Sequence, residues 1–106
     1  MLQAYSAPKR YRGYVLTHRG IGKLKHQLLK IEKQTYIRQT ARTIAERVQL
    51  VDVNGIHTIT VRKILRQQQG VDRASIERVF QALDLTLEAS DCAHAGLYIT
   101  SSSCFH

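Results

Sequence analysis

Several features typical of disulfide-stapled or membrane-bound proteins are absent from this 106-residue sequence. It has no tryptophan, one proline and two cysteines. Both cysteines, Cys92 and Cys104, lie near the C-terminal end, where a disulfide would close only that end and would not staple the core. A membrane-spanning helix needs a run of about 18 apolar residues, and the sequence contains none. The segment from Met1 to Tyr14 contains no apolar stretch typical of a secretory signal. The sequence therefore predicts a cytoplasmic protein with one domain and a modest hydrophobic core.

Acidic residues are scarce and unevenly placed. Residues 1–70 carry 14 lysines and arginines against three acids, whereas residues 71–106 carry two against five. A surface with that excess of positive charge attracts a polyanion, and nucleic acid is the most common one in a cell. Association with the ribosome, or with an acidic protein, would favour the same imbalance, so charge alone leaves these alternatives open.

Catalytic patterns are also missing from the sequence. It contains no Gly-rich phosphate loop, and no serine or cysteine stands with a histidine and a carboxylate in a recognised arrangement. We therefore expect neither an enzyme nor a cofactor. The pairs Cys92-Ala93-His94 and Cys104-Phe105-His106 contain the ligand types of a zinc site, but their spacing is not that of a standard zinc knuckle. We therefore expect no bound metal.

The longest stretch without helix breakers predicts two helices. No glycine or proline occurs between Lys23 and Asn54, and Thr17 is a suitable N-cap for a first helix. A buried stripe follows at spacings of three and four residues: Ile21, Leu24, Leu28 and Ile31. The helix has to end or bend between residues 34 and 40 to fit a small domain. Thr40 is the better N-cap for a second helix, whose apolar face is Ile44, Ala45 and Val48.

A connection and a last helix are predicted further along the chain. Asp52, Asn54 and Gly55 are turn residues within the segment from Gln49 to His57. Its apolar residues indicate that part of it packs against the core, and a short hairpin is an alternative: Leu50, Val51, Val53 and Ile56. Asp72 is an N-cap for a last helix over residues 73–83, with a buried stripe formed by Ile76, Val79, Phe80 and Leu83. The segment from Leu85 to Leu87 is expected to be extended and to close the core.

Residues 58–69 form an amphipathic segment that carries the residues most suited to binding a partner. As a helix ended by Gly70, it would turn Val61, Ile64 and Leu65 inward, with Ile59 or Gln68 at the ends of that side. The remaining sides carry the polar residues Thr60, Arg62, Lys63, Arg66 and Gln67. Arginine and lysine bind phosphates or guanine, and glutamine pairs with adenine, so these residue types suit a helix in a DNA major groove. An ordinary surface helix with a solvated face is the alternative interpretation.

These segments, in this order, resemble helix-turn-helix proteins. The run Ile44-Ala45-Glu46-Arg47-Val48 resembles the first helix of the motif, and Thr60-Val61-Arg62-Lys63-Ile64-Leu65 resembles the start of the second. Residues 70–85 resemble the segment that follows in the repressor-like, or Xre-like, family. Leu16-Thr17-x-x-Gly20-x-x-Lys23-Leu24, with residues 71–88, is similar to a module at the N-termini of bacterial, especially cyanobacterial, multidomain signalling ATPases. The resemblance covers residues 9–91.

The resemblance implies an all-α fold of four helices around one core, the second and third forming a helix-turn-helix. One spacing departs from the family. The small residue of the first helix and the apolar residue that opens the second are usually ten apart, whereas Ala45 and Val61 are sixteen apart, which predicts a lengthened turn. We expect a basic N-terminal arm at residues 1–13, the domain at residues 14–88 and a flexible tail at residues 89–106.

The expected function is that of a transcription regulator that binds double-stranded DNA. The residues expected to face the groove are Arg62, Lys63, Arg66 and Gln67. Thr58 and Thr60 are expected near the DNA backbone, and Lys9, Arg10 and Arg12 are expected to add affinity from the arm. A homodimer is compatible with the sequence, although no dimer stripe is visible.

Two other functions remain open at this point. Helix-turn-helix folds also serve as adaptors in larger assemblies, where the basic face would meet an acidic protein partner. Binding to RNA or to the ribosome suits the charge as well. That third function has less support because Tyr11, Tyr14 and Tyr36 are not arranged as a stacking platform.

Overall fold

Four α-helices and one small antiparallel sheet make up the part of the chain that the computed structural model describes, residues 13–67 and 69–95. In chain order the elements are β1 (Tyr14–Leu16), α1 (His18–Thr35), α2 (Ala41–Val51), α3 (Thr58–Arg66), α4 (Arg73–Ala82), a 3-10 turn (Ala89–Asp91) and β2 (Cys92–His94). Within the described ranges, no helix is both long and apolar enough to cross a membrane. The chain is thus mostly helical, as the sequence predicted.

The predicted caps set the starts of the first two helices. The Thr17 hydroxyl oxygen accepts a hydrogen bond from the Gly20 amide at 3.2 Å, at the start of α1. Thr40 and Thr43 form a reciprocal capping box, in which each hydroxyl oxygen accepts from the other residue's backbone amide. Both N-cap predictions are therefore confirmed. Asp72 occupies the N-cap position of α4, but its side chain makes no capping hydrogen bond.

One hydrophobic core joins the four helices and β1. The predicted stripes of α1, α2 and α4 are buried, except that Leu28 is only partly covered. The helix α2 packs against both α3 and α4, and α1 lies on β1 and the 3-10 turn. The largest side chains with less than 2% exposure include Phe80, Leu16, Leu24, Ile44, Ile64 and Ile76. Burial of this apolar surface is the main force that holds the helices together.

The sheet corrects the all-α prediction. Strand β1 pairs with β2 in antiparallel fashion, with Tyr14 opposite His94 and Leu16 opposite Cys92. The prediction of a flexible tail from residue 89 is wrong for residues 89–95, because this segment forms the 3-10 turn and β2 and buries Asp91 and Ala95. Backbone and side-chain hydrogen bonds from Thr17 also hold this segment. Residues 96–106 lie outside the described ranges.

The connection between α2 and α3 is shorter than the sequence suggested. Helix α2 continues to Val51, so only residues 52–57 connect the two helices, and they form a turn rather than a hairpin. Gly55 adopts a φ of 61°, as expected for a tight turn. The prediction that this region packs against the core holds only for Ile56. The other three apolar side chains are exposed by half or more: Leu50, Val51 and Val53.

Candidate nucleic-acid interface

The basic side chains of the described residues fall into two groups. The first group is neutralised by ion pairs: Arg19 and Lys23 with Glu88 and Asp91, Arg42 with Glu46, Arg73 with Glu77, and Arg78 with Asp52. The second group includes Arg62, Lys63 and Arg66 of α3, which form no ion pair with any residue of the described ranges. Within the described ranges, α3 therefore carries three cations without an ionic partner along its nine residues, and α1 carries three more at Lys25, Lys30 and Lys33.

One side of α3 gathers these cations around a shallow depression, which we call the α3 face. It is lined by Ile59, Arg62, Lys63, Arg66 and Gln69. The opposite side of the helix is fixed in the core by Val61 and Ile64, which have at most 1% exposure. The prediction that these apolar residues turn inward is therefore confirmed, and Arg62 and Arg66 are consequently exposed to solvent.

Ile59 is the residue that the sequence interpretation misplaced. It was grouped with the apolar side of the segment, but its side chain is 53% exposed and lies among the cations of the α3 face. Its spacing contains the signal that would have placed it. Ile59 precedes Arg62 by three residues and Arg66 by seven, which puts all three on one side of a helix.

Gln67 corrects a second expectation. It was predicted to face the groove beside Arg66, but it stands at the C-cap of α3 with a φ of 58°. Its side-chain nitrogen donates a hydrogen bond to the Leu16 carbonyl oxygen at 2.9 Å. Because the helix ends at Arg66 rather than at Gly70, Gln67 leaves the helical face. Its amide fastens α3 to β1 and is not aimed outward with the arginines.

The remaining predicted contact residues lie around or outside the α3 face. Thr58 is half-buried and lines a second depression, between α2 and α3, together with Arg42, Glu46 and Gln49. Thr60 is also half-buried, and two residues along a helix place it about 200° around the axis from Thr58. The two threonines therefore flank α3 on different sides. Lys9, Arg10 and Arg12 lie outside the described residues.

The N-terminal end of α3 is held by the turn that precedes it. The Oδ1 atom of Asp52 accepts from the Asn54 amide at 2.9 Å, and its Oδ2 lies 3.4 Å from the Arg78 guanidinium on α4. His57 occupies the N-cap, where its Nδ1 accepts from the Ile59 amide at 3.3 Å. Histidine is not a preferred N-cap residue, so the sequence alone does not indicate this role.

The C-terminal end of α3 is held next to the start of the described chain. Tyr14 and Val71 exchange two backbone hydrogen bonds, of 2.8 and 2.9 Å, just beyond α3. Gly13 adopts a φ of 86°, and a Cβ atom there would meet the Val71 carbonyl oxygen at 2.6 Å. Gly13, the last residue of the segment predicted as a basic arm, therefore packs against the chain that follows α3.

The potential zinc ligands do not gather in the described part of the chain. Cys92 is buried in β2, and burial raises the pKa of its thiol. His94 is exposed, and its ring lies 4.5 Å from that of Tyr14. Cys104 and His106 lie outside the described residues. Across residues 13–67 and 69–95, no three histidine, cysteine or acidic side chains stand close enough together to hold a metal ion.

Comparisons of the chain with protein-family models, with curated proteins and with solved structures found no match.

Proposed function

We propose that this protein binds double-stranded DNA through the α3 face and acts as a transcription regulator with a helix-turn-helix formed by α2 and α3. Arg62, Lys63 and Arg66 would contact phosphates or the acceptor edge of guanine. Thr58 and Thr60 would lie near the DNA backbone on either side of α3. Lys9, Arg10 and Arg12 would add contacts from the N-terminal side. Such a regulator would act in the cytoplasm of a bacterium, where its DNA lies.

One observation carries the proposal. The cations of α3 remain without ionic partners although every acidic residue of the sequence lies within the described ranges. Glu46, Asp52 and Glu77 each pair with an arginine on α2 or α4, so the charge of the α3 face is not cancelled by these neighbours. An exposed cationic helix that is anchored at both ends is the kind of element that can enter a DNA groove.

A purely structural explanation applies to part of this charge. Lys63 and Arg66 lie in the last turn of α3, where positive charge stabilises the helix dipole by about 0.3 to 1 kcal/mol. That effect explains a basic residue near the helix end, but it does not explain the exposed Arg62 one turn earlier. It also predicts no affinity for DNA, so a binding measurement separates the two explanations.

The test is a titration of fluorescent random-sequence duplex with the protein at low salt, read by anisotropy. We expect binding at micromolar protein, because sequence-independent phosphate contacts suffice for it. Lys63→Ala should weaken this binding several-fold. Lys25→Ala, which removes the same charge from an exposed position on α1, is the matched control and should change it much less.

The alternative function is an adaptor that uses the same fold to bind an acidic protein. It gives the opposite result in this titration, since the wild-type protein would then leave the duplex free at micromolar concentration. Equal weakening by Lys63→Ala and Lys25→Ala would show that general positive charge, and not the α3 face, attracts the duplex. Either result would overturn the proposed mode of DNA binding.

A further inference from the structure

A second exposed surface carries a different mixture of side chains, and we call it the Tyr36 patch. It lies at the C-terminal end of α1 and in the linker that follows, and it consists of Leu29, Lys30, Lys33, Tyr36, Ile37 and Arg38. Its three apolar members are exposed by 56% at Leu29, 93% at Tyr36 and 57% at Ile37. Leu29 and Lys33 are four residues apart and lie on one side of α1, whereas Tyr36 and Ile37 directly follow the end of that helix at Thr35.

Tyr36 adopts a backbone conformation that disfavours its own side chain. It is the C-cap of α1 with φ 60° and ψ 22°, in the left-handed region where glycine is the usual residue. A side chain with a Cβ atom costs roughly 1 kcal/mol in this region. The ring recovers little of that cost by burial, since it is 93% exposed. Stability of the free protein therefore does not explain a tyrosine at this position.

The linker that displays Tyr36 is tied to the neighbouring helices. The Tyr36 amide donates to the Glu32 carbonyl oxygen at 2.8 Å, and the Glu32 carboxylate accepts from the Gln39 amide at 2.7 Å. The side-chain oxygen of Gln39 in turn accepts from Arg47 of α2 at 3.2 Å. The position of Tyr36 is thus set before any partner arrives, which reduces the entropy lost on binding.

The charge of the Tyr36 patch is positive and has no internal partner. Lys30, Lys33 and Arg38 are exposed and form no ion pair with any residue in the described ranges. The nearest acid in the sequence, Glu32, already accepts the linker amide. Exposed apolar side chains, one of them aromatic, that stand beside unpaired cations in the chain are typical of a protein interface whose partner carries negative charge.

We propose that the Tyr36 patch binds an acidic protein segment with apolar side chains, which pack against Leu29, Tyr36 and Ile37 while its carboxylates pair with the surrounding cations. This site is separate from the α3 face and does not depend on DNA binding there. Helix α1 packs mainly on β1 and the 3-10 turn, whereas α3 packs mainly on α2.

A protein partner fits this patch better than a nucleic acid does. Single-stranded nucleic acid uses aromatic rings for base stacking and cations for phosphates. Tyr36 and the lysines would serve that purpose, but the aliphatic side chains of Leu29 and Ile37 offer no stacking surface. Acidic residues alternating with leucine, isoleucine or phenylalanine would satisfy both components of the patch.

The test is selection of a random displayed peptide library on the immobilised wild-type protein, after removal of peptides that also bind Tyr36→Gly. We expect the retained peptides to combine Asp or Glu with large apolar residues. A synthetic copy of one such peptide should bind Tyr36→Gly and Lys33→Glu at least tenfold more weakly than wild type. Arg66→Ala on α3 should bind it as wild type does.

The Tyr36→Gly variant also separates function from folding. Glycine relieves the left-handed backbone, so its melting temperature should equal or exceed that of wild type. Asp84→Gly is the matched control because Asp84 is exposed and has the same φ of 60° outside the patch. It should retain peptide binding.

Three results would overturn the proposal. The selection could yield no peptide whose binding depends on Tyr36, or the peptides that depend on Tyr36 could be cationic. A single-stranded oligonucleotide could also bind in a way that requires Tyr36 but not Arg66.

Discussion

The ammonium nitrogen of Lys23 lies 2.7 Å from Oδ2 of Asp91, a carboxylate with no solvent exposure. This ion pair joins α1 to the 3-10 turn, across 68 residues of sequence. The same carboxylate oxygen accepts a hydrogen bond from the Glu88 amide at 2.8 Å, and Arg19 lies 3.6 Å from the other oxygen. The C-terminal segment is therefore fixed to the helical core by charge as well as by β-sheet pairing.

Acid should remove the contribution of this ion pair. Burial by itself raises the pKa of Asp91, but the Lys23 ammonium, the Glu88 amide and Arg19 together hold that pKa below its ordinary value. A carboxyl whose pKa is lower in the folded state contributes stability that is present above its unfolded pKa of about 3.9 and is lost as pH falls through the folded pKa. We therefore expect the free energy of unfolding to decline below about pH 4.

Asp91→Asn tests this origin of the acid sensitivity. At pH 7 the variant should be less stable by about 3 kcal/mol, because Lys23 loses its anionic partner while partly buried. Denaturant unfolding at a series of pH values should show the gap between variant and wild type narrowing below about pH 4. A gap that stays constant down to pH 2 would show that the carboxylate charge is not the cause.

Gly20 and Gly22 of α1 should respond to alanine in opposite directions. A Cβ atom at Gly20 would overlap the Asp91 carbonyl oxygen, whereas one at Gly22 would meet nothing within 4 Å. Gly20→Ala should therefore cost about 1 to 3 kcal/mol through overpacking. Gly22→Ala should add up to about 1 kcal/mol by helix propensity. Thermal unfolding of the two variants measures the contrast, and equal shifts would contradict the close approach of α1 to the 3-10 turn.

The weak N-cap of α3 can be strengthened. His57 accepts the Ile59 amide through a ring nitrogen at 3.3 Å, a role for which aspartate is better suited. His57→Asp should raise the free energy of unfolding by about 0.5 to 1 kcal/mol, because it supplies a charged acceptor at the helix N-terminus. His26→Asp, on the exposed side of α1, is the control and should change stability by less than about 0.5 kcal/mol. No gain at position 57 would show that histidine does not weaken the N-cap of α3.

Local sequence signals predicted the helices well because each signal acts within a few residues. The caps at Thr17 and Thr40 and the stripe from Ile76 to Leu83 depend on spacings of three and four, which the sequence shows directly. The sheet was missed because each strand has three residues, too few to show a period of two, and their pairing links Tyr14 to His94. Strand pairing across that separation has no local signature.

The candidate site was predicted in its charge but not in all of its geometry. The sequence placed Arg62 and Arg66 on an exposed helix, and the structure agrees. It failed at Gln67 because the helix ends at Arg66 rather than at Gly70. Gln67 is therefore a left-handed C-cap, and its side-chain amide leaves the helical face. It also gave no sign of the Tyr36 patch. The left-handed backbone conformation at Tyr36 arises in the folded linker, and the identity of the residue does not predict it.

Arg66 is the residue whose loss should reveal base recognition. If its guanidinium contacts guanine, Arg66→Ala should reduce discrimination between a selected site and a scrambled duplex by about 1 to 3 kcal/mol. Competition binding against both duplexes measures this difference, after a preferred site has been selected from random DNA. Equal weakening on the two duplexes would show that Arg66 contacts only phosphate.

The salt dependence of duplex binding tests whether the α3 face contacts DNA phosphates. Each phosphate neutralised contributes about 0.9 to the slope of log K against log salt. If the α3 face binds DNA, the double variant Arg62→Ala/Arg66→Ala should lower the steepness of that slope by about 2 relative to wild type. The variant Lys25→Ala/Lys30→Ala, with the same net charge, should leave the slope unchanged. A slope that is unaltered by the α3 substitutions, or altered equally by both pairs, would show that the α3 face does not bind the duplex.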